Sequence, residues 1–341
     1  MPYVMRSDLL TLSLFLFLLL TGCNRGEGTF YRETGERFTT YYTVTYRAEE
    51  PLAEQIDSTM DAFNAVLNNF DPTSVVSRIN ANTSDRTDPM LEEVLRQAMI
   101  VSEATDGVYD VTGGPLFDIW GFGTKKGVTR LATDEQVDSV LQFVGYRHIR
   151  IDTLAHRITK DDPRLSMGLA SLSKGYVVDL VARTLEHYGV EDYMVEIGGE
   201  VTCHGRNPRG ECWSLGINKP IEDNTSTVNE LLGKIEMCEK QGVATSGDYR
   251  NYKVIEGRKV AHTINAVTGR PAHSDILEAT VVAPTTMEAD AWATAFMAVG
   301  LERAKEILEG QPQLGVLFVY ADPIGTGYLT YTHRLDLLPL K

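Results

Sequence analysis

Cysteine is scarce in this chain, four in 341 residues, too few for the disulfide lattice of a small secreted scaffold. No Cys-x-x-Cys pair and no matched His spacing occurs, so a structural zinc site has no ligand frame. Clusters of Lys and Arg are missing as well. With 32 basic residues against 47 acidic ones the formal charge is −15, which argues against a nucleic-acid partner, since backbone affinity comes from clustered cations that release counterions. The apolar run from Leu9 to Leu20 is too short to span ~30 Å of hydrocarbon. There is no internal repeat and no Walker A motif, and the glycines of Gly121-Phe-Gly-Thr-Lys-Lys-Gly127 lack the GxGxxG spacing of a dinucleotide fold. Regular strand-helix alternation is also absent, which excludes a doubly wound sheet and favours an α+β fold.

What is present begins at the N-terminus. The short apolar run sits where a signal peptide would, and it ends in Leu20-Thr21-Gly22-Cys23, which resembles the bacterial lipobox. Residues 1–22 then read as a lipoprotein signal peptide, with Cys23 as the lipid-bearing terminus. Residues 23–36, polar and Gly-rich, read as a tether, and residues 37–341 as one folded domain. If lipid consumes Cys23, an odd number of cysteines remains: Cys203, Cys212 and Cys238. Cys203 and Cys212 flank the turn-rich Gly205 to Gly210 and are placed to pair across a hairpin, although spacing alone does not decide it.

Periodicity predicts strands over Thr39 to Arg47, Tyr193 to Ile197, Trp213 to Ile217 and Glu278 to Ala283. It predicts helices over Leu52 to Phe70, Met90 to Thr105, Ser173 to Tyr188, Glu288 to Val299 and Leu301 to Glu309. The segment Pro284 to Gly300 carries the most chemistry. Thr285 and Glu288 have capping-box spacing, and Trp292, Ala295, Phe296 and Val299 form an apolar stripe. Asp290 and Thr294 stand four apart, one above the other on a different face. Two hard oxygens converging in this way supply part of a Mg²⁺ octahedron; a carboxylate favouring the first helical turn beside a packed hydroxyl is the plainer reading. His262 lies in a strand-like run, where a lone histidine is more often structural than a base. Gly247-Asp248-Tyr249-Arg250 and Thr268-Gly269-Arg270-Pro271 read as turns. Trp120 and Phe122 stack on a flat ring or plug a core. Ser171-Leu-Ser-Lys174 satisfies the S-x-x-K of a serine hydrolase, but its companion motifs are missing.

In order along the chain, several segments resemble one family, the ApbE-type FAD:protein FMN transferases. These are Phe70 through Ser77-Arg-Ile-Asn80, Asp110-Val-Thr-Gly-Gly-Pro-Leu-Phe-Asp-Ile-Trp-Gly-Phe122, Ser173-Lys-Gly-Tyr-Val-Val-Asp179 and Ile197-Gly-Gly. Ala244-Thr-Ser-Gly-Asp-Tyr-Arg250, His262-Thr-Ile264 with Thr268-Gly-Arg-Pro271, and Ala289-Asp-Ala-Trp-Ala-Thr294 complete the set. The resemblance implies mixed, largely antiparallel sheets with packed helices and a nucleotide site in a cleft between sub-parts. It makes Asp290 and Thr294 Mg²⁺ ligands, with main-chain carbonyls at Ser173 and Ala293. It places flavin and nucleotide contacts at Phe38, Phe70, Trp120, Gly121, Phe122, Ala170, Tyr176, Asp179 and Ile264. The chain departs from the family pattern at Phe38-Thr39-Thr40, often Met-Gly-Thr, at Glu200, usually Asp, and at Asn265-Ala266, usually Asp-Pro.

The activity so implied attacks the flavin-side phosphorus of FAD with a Ser or Thr hydroxyl of an acceptor protein and releases AMP. Mg²⁺ stabilises the phosphoryl charge, Lys174 assists, and His262 is the candidate base. The acceptor resembles a subunit of a membrane redox pump. The implied location is the bacterial cell envelope, lipid-anchored and facing outside the cytoplasm, on the periplasmic side. The alternatives are an FAD pyrophosphatase using water at the same site, and a flavin-binding lipoprotein without activity.

Overall fold

A computed structural model describes residues 28–125, 127–219, 230–247, 252–325 and 327–340. The lipobox with Cys23, the signal peptide, and Asp248, Tyr249 and Arg250 lie outside the described residues. Eight strands form the main sheet: β1 (Thr29–Arg37), β2 (Thr40–Ala48), β3 (Tyr193–Ile197), β4 (Glu200–His204), β5 (Gln241–Gly247), β6 (Ile276–Ala283), β7 (Gly315–Ala321) and β8 (Tyr328–His333). Their order across the sheet is their order along the chain, and every neighbouring pair is antiparallel. The helices are α1 (Ala53–Leu67), α2 (Val75–Asn80), α3 (Pro89–Ala104), α4 (Gly114–Ile119), α5 (Asp134–Leu141), α6 (Ser173–His187), α7 (Thr286–Val299) and α8 (Leu301–Glu309). The α+β expectation holds, and among the described residues no helix is long and apolar enough to cross a membrane.

This topology decides where function can sit. In an antiparallel meander alternate connections fall at the same end of the sheet. The β1–β2 turn at Phe38-Thr39, the β3–β4 turn at Gly198-Gly199 and the long β5–β6 connection carrying His262 therefore share one end. The remaining insertions build the layers. Helices α1 to α6 all intervene between β2 and β3, and α7 and α8 between β6 and β7.

The period-2 alternation of the strands sorts residues between two cores. On one face Val44 and Tyr46 of β2 join Ile56 and Met60 of α1, Val181 of α6, and Trp292 and Phe296 of α7 in one cluster. On the other, Val201, Cys203, Val243 and Leu317 pack with Trp213, Ile217, Ile235 and Met237. The last four belong to a ribbon of Trp213–Asn218 against Leu231–Met237.

Two sequence expectations need correction. The tether does not reach residue 36, because Thr29–Arg37 pairs along its whole length with β2. Its polar composition suits an edge strand, whose outer face meets water. The disulfide joins Cys212 to Cys238, and Cys203 is a free, buried thiol. The segment after the Gly205 to Gly210 turn pairs with Leu231–Met237 and not with β4, in a register that sets Trp213 opposite Met237. Cys212 and Cys238, the next residues outward, are thereby brought together, while Cys203 faces the second core.

Candidate active site

The site is organised by the N-terminal half of α7. Thr285 caps the helix by accepting the Glu288 amide at 3.2 Å. The reciprocal half of the capping box is not made, because the Glu288 carboxylate takes a hydrogen bond from Gln313 at 2.8 Å. Asp179 of α6 supplies the missing acceptors: its two oxygens accept the amides of Thr286 and Met287 at 2.8 and 2.9 Å. Two glycines let the helix come this close. A Cβ on Gly175 would lie 2.3 Å from the Thr286 carbonyl oxygen, and one on Gly242 would lie 2.2 Å from the Thr286 nitrogen. The glycine of Lys174-Gly175-Tyr176 is thus a packing requirement between α6 and α7.

One turn further along, Asp290 is 3% exposed and accepts the Gly175 amide at 3.0 Å. Thr294 stands above it, its hydroxyl 3.5 Å from the Ser171 carbonyl oxygen and 3.3 Å from the Ser246 hydroxyl. The sequence expectation that Asp290 and Thr294 share a face is met. Main-chain carbonyls are expected at Ser173, which opens α6, and at Ala293, buried within α7; Ser171, two residues before Ser173, also turns a main-chain oxygen toward Thr294.

The tight β3–β4 turn brings in a second carboxylate. Gly198 and Gly199 have φ of 66° and 96°, a conformation that favours glycine, and the chain re-enters the sheet at Glu200. Glu200 is 2% exposed. One of its oxygens accepts from the Lys174 ammonium; the other has no hydrogen-bond partner. Burial pushes the carboxyls of Asp290 and Glu200 up, with Lys174 pulling in the opposite sense. Burial works against the charge on Lys174 as well, but Glu200 and then Asp290 outweigh it and its pKa is raised.

Two buried carboxylates facing one ammonium leave an excess of negative charge and an unsatisfied oxygen. Hard oxygens of this kind fit a cation of the Mg²⁺ class. Among the described residues no three His, Cys, Asp or Glu side chains form a metal-holding group. A cation here would draw on hydroxyl, main-chain and substrate oxygens too.

An aromatic cluster forms the other part of the site. Trp120 is buried and donates its indole N–H to the Gly269 carbonyl at 2.8 Å. That bond ties the end of α4 to the Thr268-Gly269 turn. Gly121 follows with φ 81°, and the Phe122 ring meets the His262 imidazole edge-on, centroids 6.4 Å apart. His262 is half-buried and lies just past the strand Arg258–Ala261, in a bend. Ile264 is buried and pairs with Pro271.

The other expected contacts separate into surface and core. Phe70 is 74% exposed and Ala170 is exposed. Phe38, half-buried, packs edge-on against Phe63 at 5.1 Å. Tyr176 is buried with its hydroxyl on Glu93 at 2.7 Å, and the Asp179 carboxylate serves α7, so their side chains support the site from within. Ser171 is hydrogen-bonded to Tyr109 at 2.9 Å and Lys174 to Glu200, so S-x-x-K does not form a nucleophile pair. Asn80 explains the Ser-Arg-x-Asn pattern: its amide bonds both the N–H and the carbonyl of Met167 at 2.8 and 2.9 Å, holding the loop that leads to Ser171. Asp110 and Thr112 similarly fasten Tyr146 and Gly145.

The family model for the ApbE family matches residues 38–318. The chain belongs to the ApbE family. It is 33% identical over 264 residues to the FAD:protein FMN transferase of Escherichia coli (strain K12), covering 75% of this chain and 73% of that protein. It is 33% identical to the Haemophilus influenzae FAD:protein FMN transferase, over 92% of each chain. Among solved structures, the flavin transferase ApbE from Vibrio cholerae superimposes with a TM-score of 0.79 at 30% identity, over 90% of this chain and 98% of that one.

Within this ApbE chain, motif order pointed to α7, α6 and the Trp120 segment. It missed the Ser171 carbonyl, Ser246, the partnership of Glu200 with Lys174, and Lys253, whose ammonium reaches the Gly121 carbonyl. The first three are separated from their partners by 26 to 123 positions, beyond the reach of local pattern.

Proposed function

We propose that this ApbE chain transfers FMN from FAD to a Ser or Thr hydroxyl of a partner protein, with Mg²⁺ held at Asp290 and Thr294. The observation that carries the reading is the oxygen cluster of the buried Asp290 and Glu200 carboxylates with the half-buried Thr294 hydroxyl and Ser171 carbonyl, and Lys174 as its counter-charge. When bound, Mg²⁺ supplies positive charge to phosphate oxygens as negative charge develops there. Lys174 adds a second positive group beside the same oxygens. His262 takes the hydroxyl proton on a ring nitrogen as the new O–P bond forms and the pyrophosphate P–O bond breaks, AMP leaving with the bridging oxygen. Phe122, beside His262, offers the aromatic surface against which the flavin is aligned, and the buried Trp120, tied to the Gly269 turn, holds it from behind.

The finer assignment places the chain at the bacterial cell envelope, held by lipid on Cys23, exposed on the periplasmic side and acting on a membrane redox-pump subunit. The Cys212–Cys238 disulfide supports an oxidising compartment. The deciding experiment incubates the protein with FAD, Mg²⁺ and an acceptor protein, then denatures the mixture. Flavin that stays on the acceptor is the expected result; free FMN and AMP with a bare acceptor would mean hydrolysis, and intact FAD a binding protein. Asp290→Ala should lower transfer roughly a thousandfold, for a loss of several kcal/mol of phosphoryl stabilisation, and full activity in that variant removes the metal assignment.

A further inference from the structure

We infer that Lys253 is a positioning residue that locks the hairpin leading into His262 onto the Trp120-Gly121-Phe122 segment. The inference rests on the flavin-transfer reading of this site. The hairpin pairs Tyr252–Ile255 with Arg258–Ala261, setting Lys253 opposite Val260. Residues opposite one another, and residues two apart on one strand, share a face. Lys253 therefore lies in register with Ile255 and Val260, each 4% exposed. The Lys253 side chain as a whole is exposed, and what ties it down is a pair of partners at its ammonium end. The ammonium donates to the Gly121 carbonyl and stands 5.3 Å from the centre of the Phe122 ring.

Both partners lead to the candidate base. The Phe122 ring abuts the His262 imidazole, and His262 directly follows Ala261, the last residue of the hairpin. One side chain thus closes a loop of contacts from the hairpin to Gly121, from Phe122 to His262, and back along the chain. Gly121 is fitted to this arrangement. A Cβ there would lie 3.0 Å from Val128, a tight approach, and in ordinary contact, 3.6 Å, with the Lys253 nitrogen. Lys253 touches no reacting atom in this account. It acts by fixing where the imidazole and the flavin bed stand relative to each other.

Lys253→Met keeps the aliphatic stem and removes the ammonium, whereas Lys253→Arg retains a donor and a cation. With full-length protein, saturating FAD, Mg²⁺ and acceptor, Lys253→Met should lower kcat about 10- to 100-fold, as misplacement of a base does. Its KM for FAD should change by less than about threefold, and Lys253→Arg should recover most of the rate. Amide exchange over residues 252–261 should quicken in the Met variant alone, with the thermal midpoint unchanged. Parental kcat and parental exchange in Lys253→Met would overturn the latch. Equal loss in both variants with a lowered midpoint would overturn it in favour of a bulk stabilising role. If the parent itself leaves no flavin on the acceptor, the transfer reading fails, and the exchange pattern still decides whether the latch exists.

Discussion

The Asp290 carboxylate accepts the backbone amide of Gly175 at 3.0 Å, and this bond couples the packing of two helices to the chemistry of the site. Gly175 lies against the first turn of α7, and Asp290 lies one turn on. The spacing of α6 and α7 and the aim of the carboxylate are therefore set together.

Gly175→Ala tests that coupling. The added methyl would fall 2.3 Å from the Thr286 carbonyl oxygen, in contact with backbone that cannot rotate away. Overpacking of this kind costs about 1–3 kcal/mol, and the helices must part to admit it. The urea midpoint should fall, and Mg²⁺ affinity measured by calorimetry should fall with it. A variant destabilised but with parental Mg²⁺ affinity would show that helix spacing and carboxylate aim are independent.

The buried Asp179 predicts a pH dependence of stability. Burial raises its pKa from 3.8 to about 6, against the opposing pull of the Met287 and Thr286 amides. A carboxyl whose folded pKa is raised stabilises the fold fully below its unfolded pKa and loses that contribution as pH rises through the folded one. At ~1.4 kcal/mol per pH unit, the loss between pH 3.8 and about 6 is roughly 3 kcal/mol. Asp179→Asn does not titrate, so the stability difference, parent minus variant, should decline across that window. A difference that is flat with pH would contradict the raised pKa.

The β1–β2 turn carries strain that a glycine would relieve. Phe38 and Thr39 have φ of 55° and 60°, and a β-branched residue pays about 1–2 kcal/mol there. After the added chain entropy of glycine, Thr39→Gly should stabilise the protein by ~1 kcal/mol, raising the thermal midpoint by about 2 °C. A lowered midpoint would mean that the Thr39 hydroxyl, bonded to the Phe38 carbonyl at 2.6 Å, matters more than the backbone.

The Cys212–Cys238 bond closes a loop of sequence separation 26, for which chain entropy gives about 3 kcal/mol. Reductant should lower the thermal midpoint of the parent and leave that of a Cys212→Ser, Cys238→Ser double variant unmoved. The buried Cys203, whose thiol burial pushes up to about 12, should resist alkylation until the protein unfolds. Labelling of Cys203 in the native protein would show that the second core opens.

Long amphipathic segments were legible without coordinates. The predicted helix ends at Ser173, Leu301 and Glu309, and the strand Tyr193–Ile197, coincide with those observed, because period and end signals there agree. The short helices α2, α4 and α5 were not predicted, since six or eight residues hold too few turns to show a period. The ribbon pairing that determines the disulfide was equally hidden, because register is set by strands far apart in the chain.

The sequence by itself determined the α+β class and the convergence of Asp290 with Thr294, which follow from patterning and from spacing within one element, and the ApbE family, which follows from the order of motifs along the chain. Only the tertiary structure decided that the Ser171 carbonyl faces the Thr294 hydroxyl, that Glu200 closes on Lys174, and that Cys238 pairs with Cys212. Each of those contacts joins separate elements across a sheet end or a helix crossing, and such distances are created by packing.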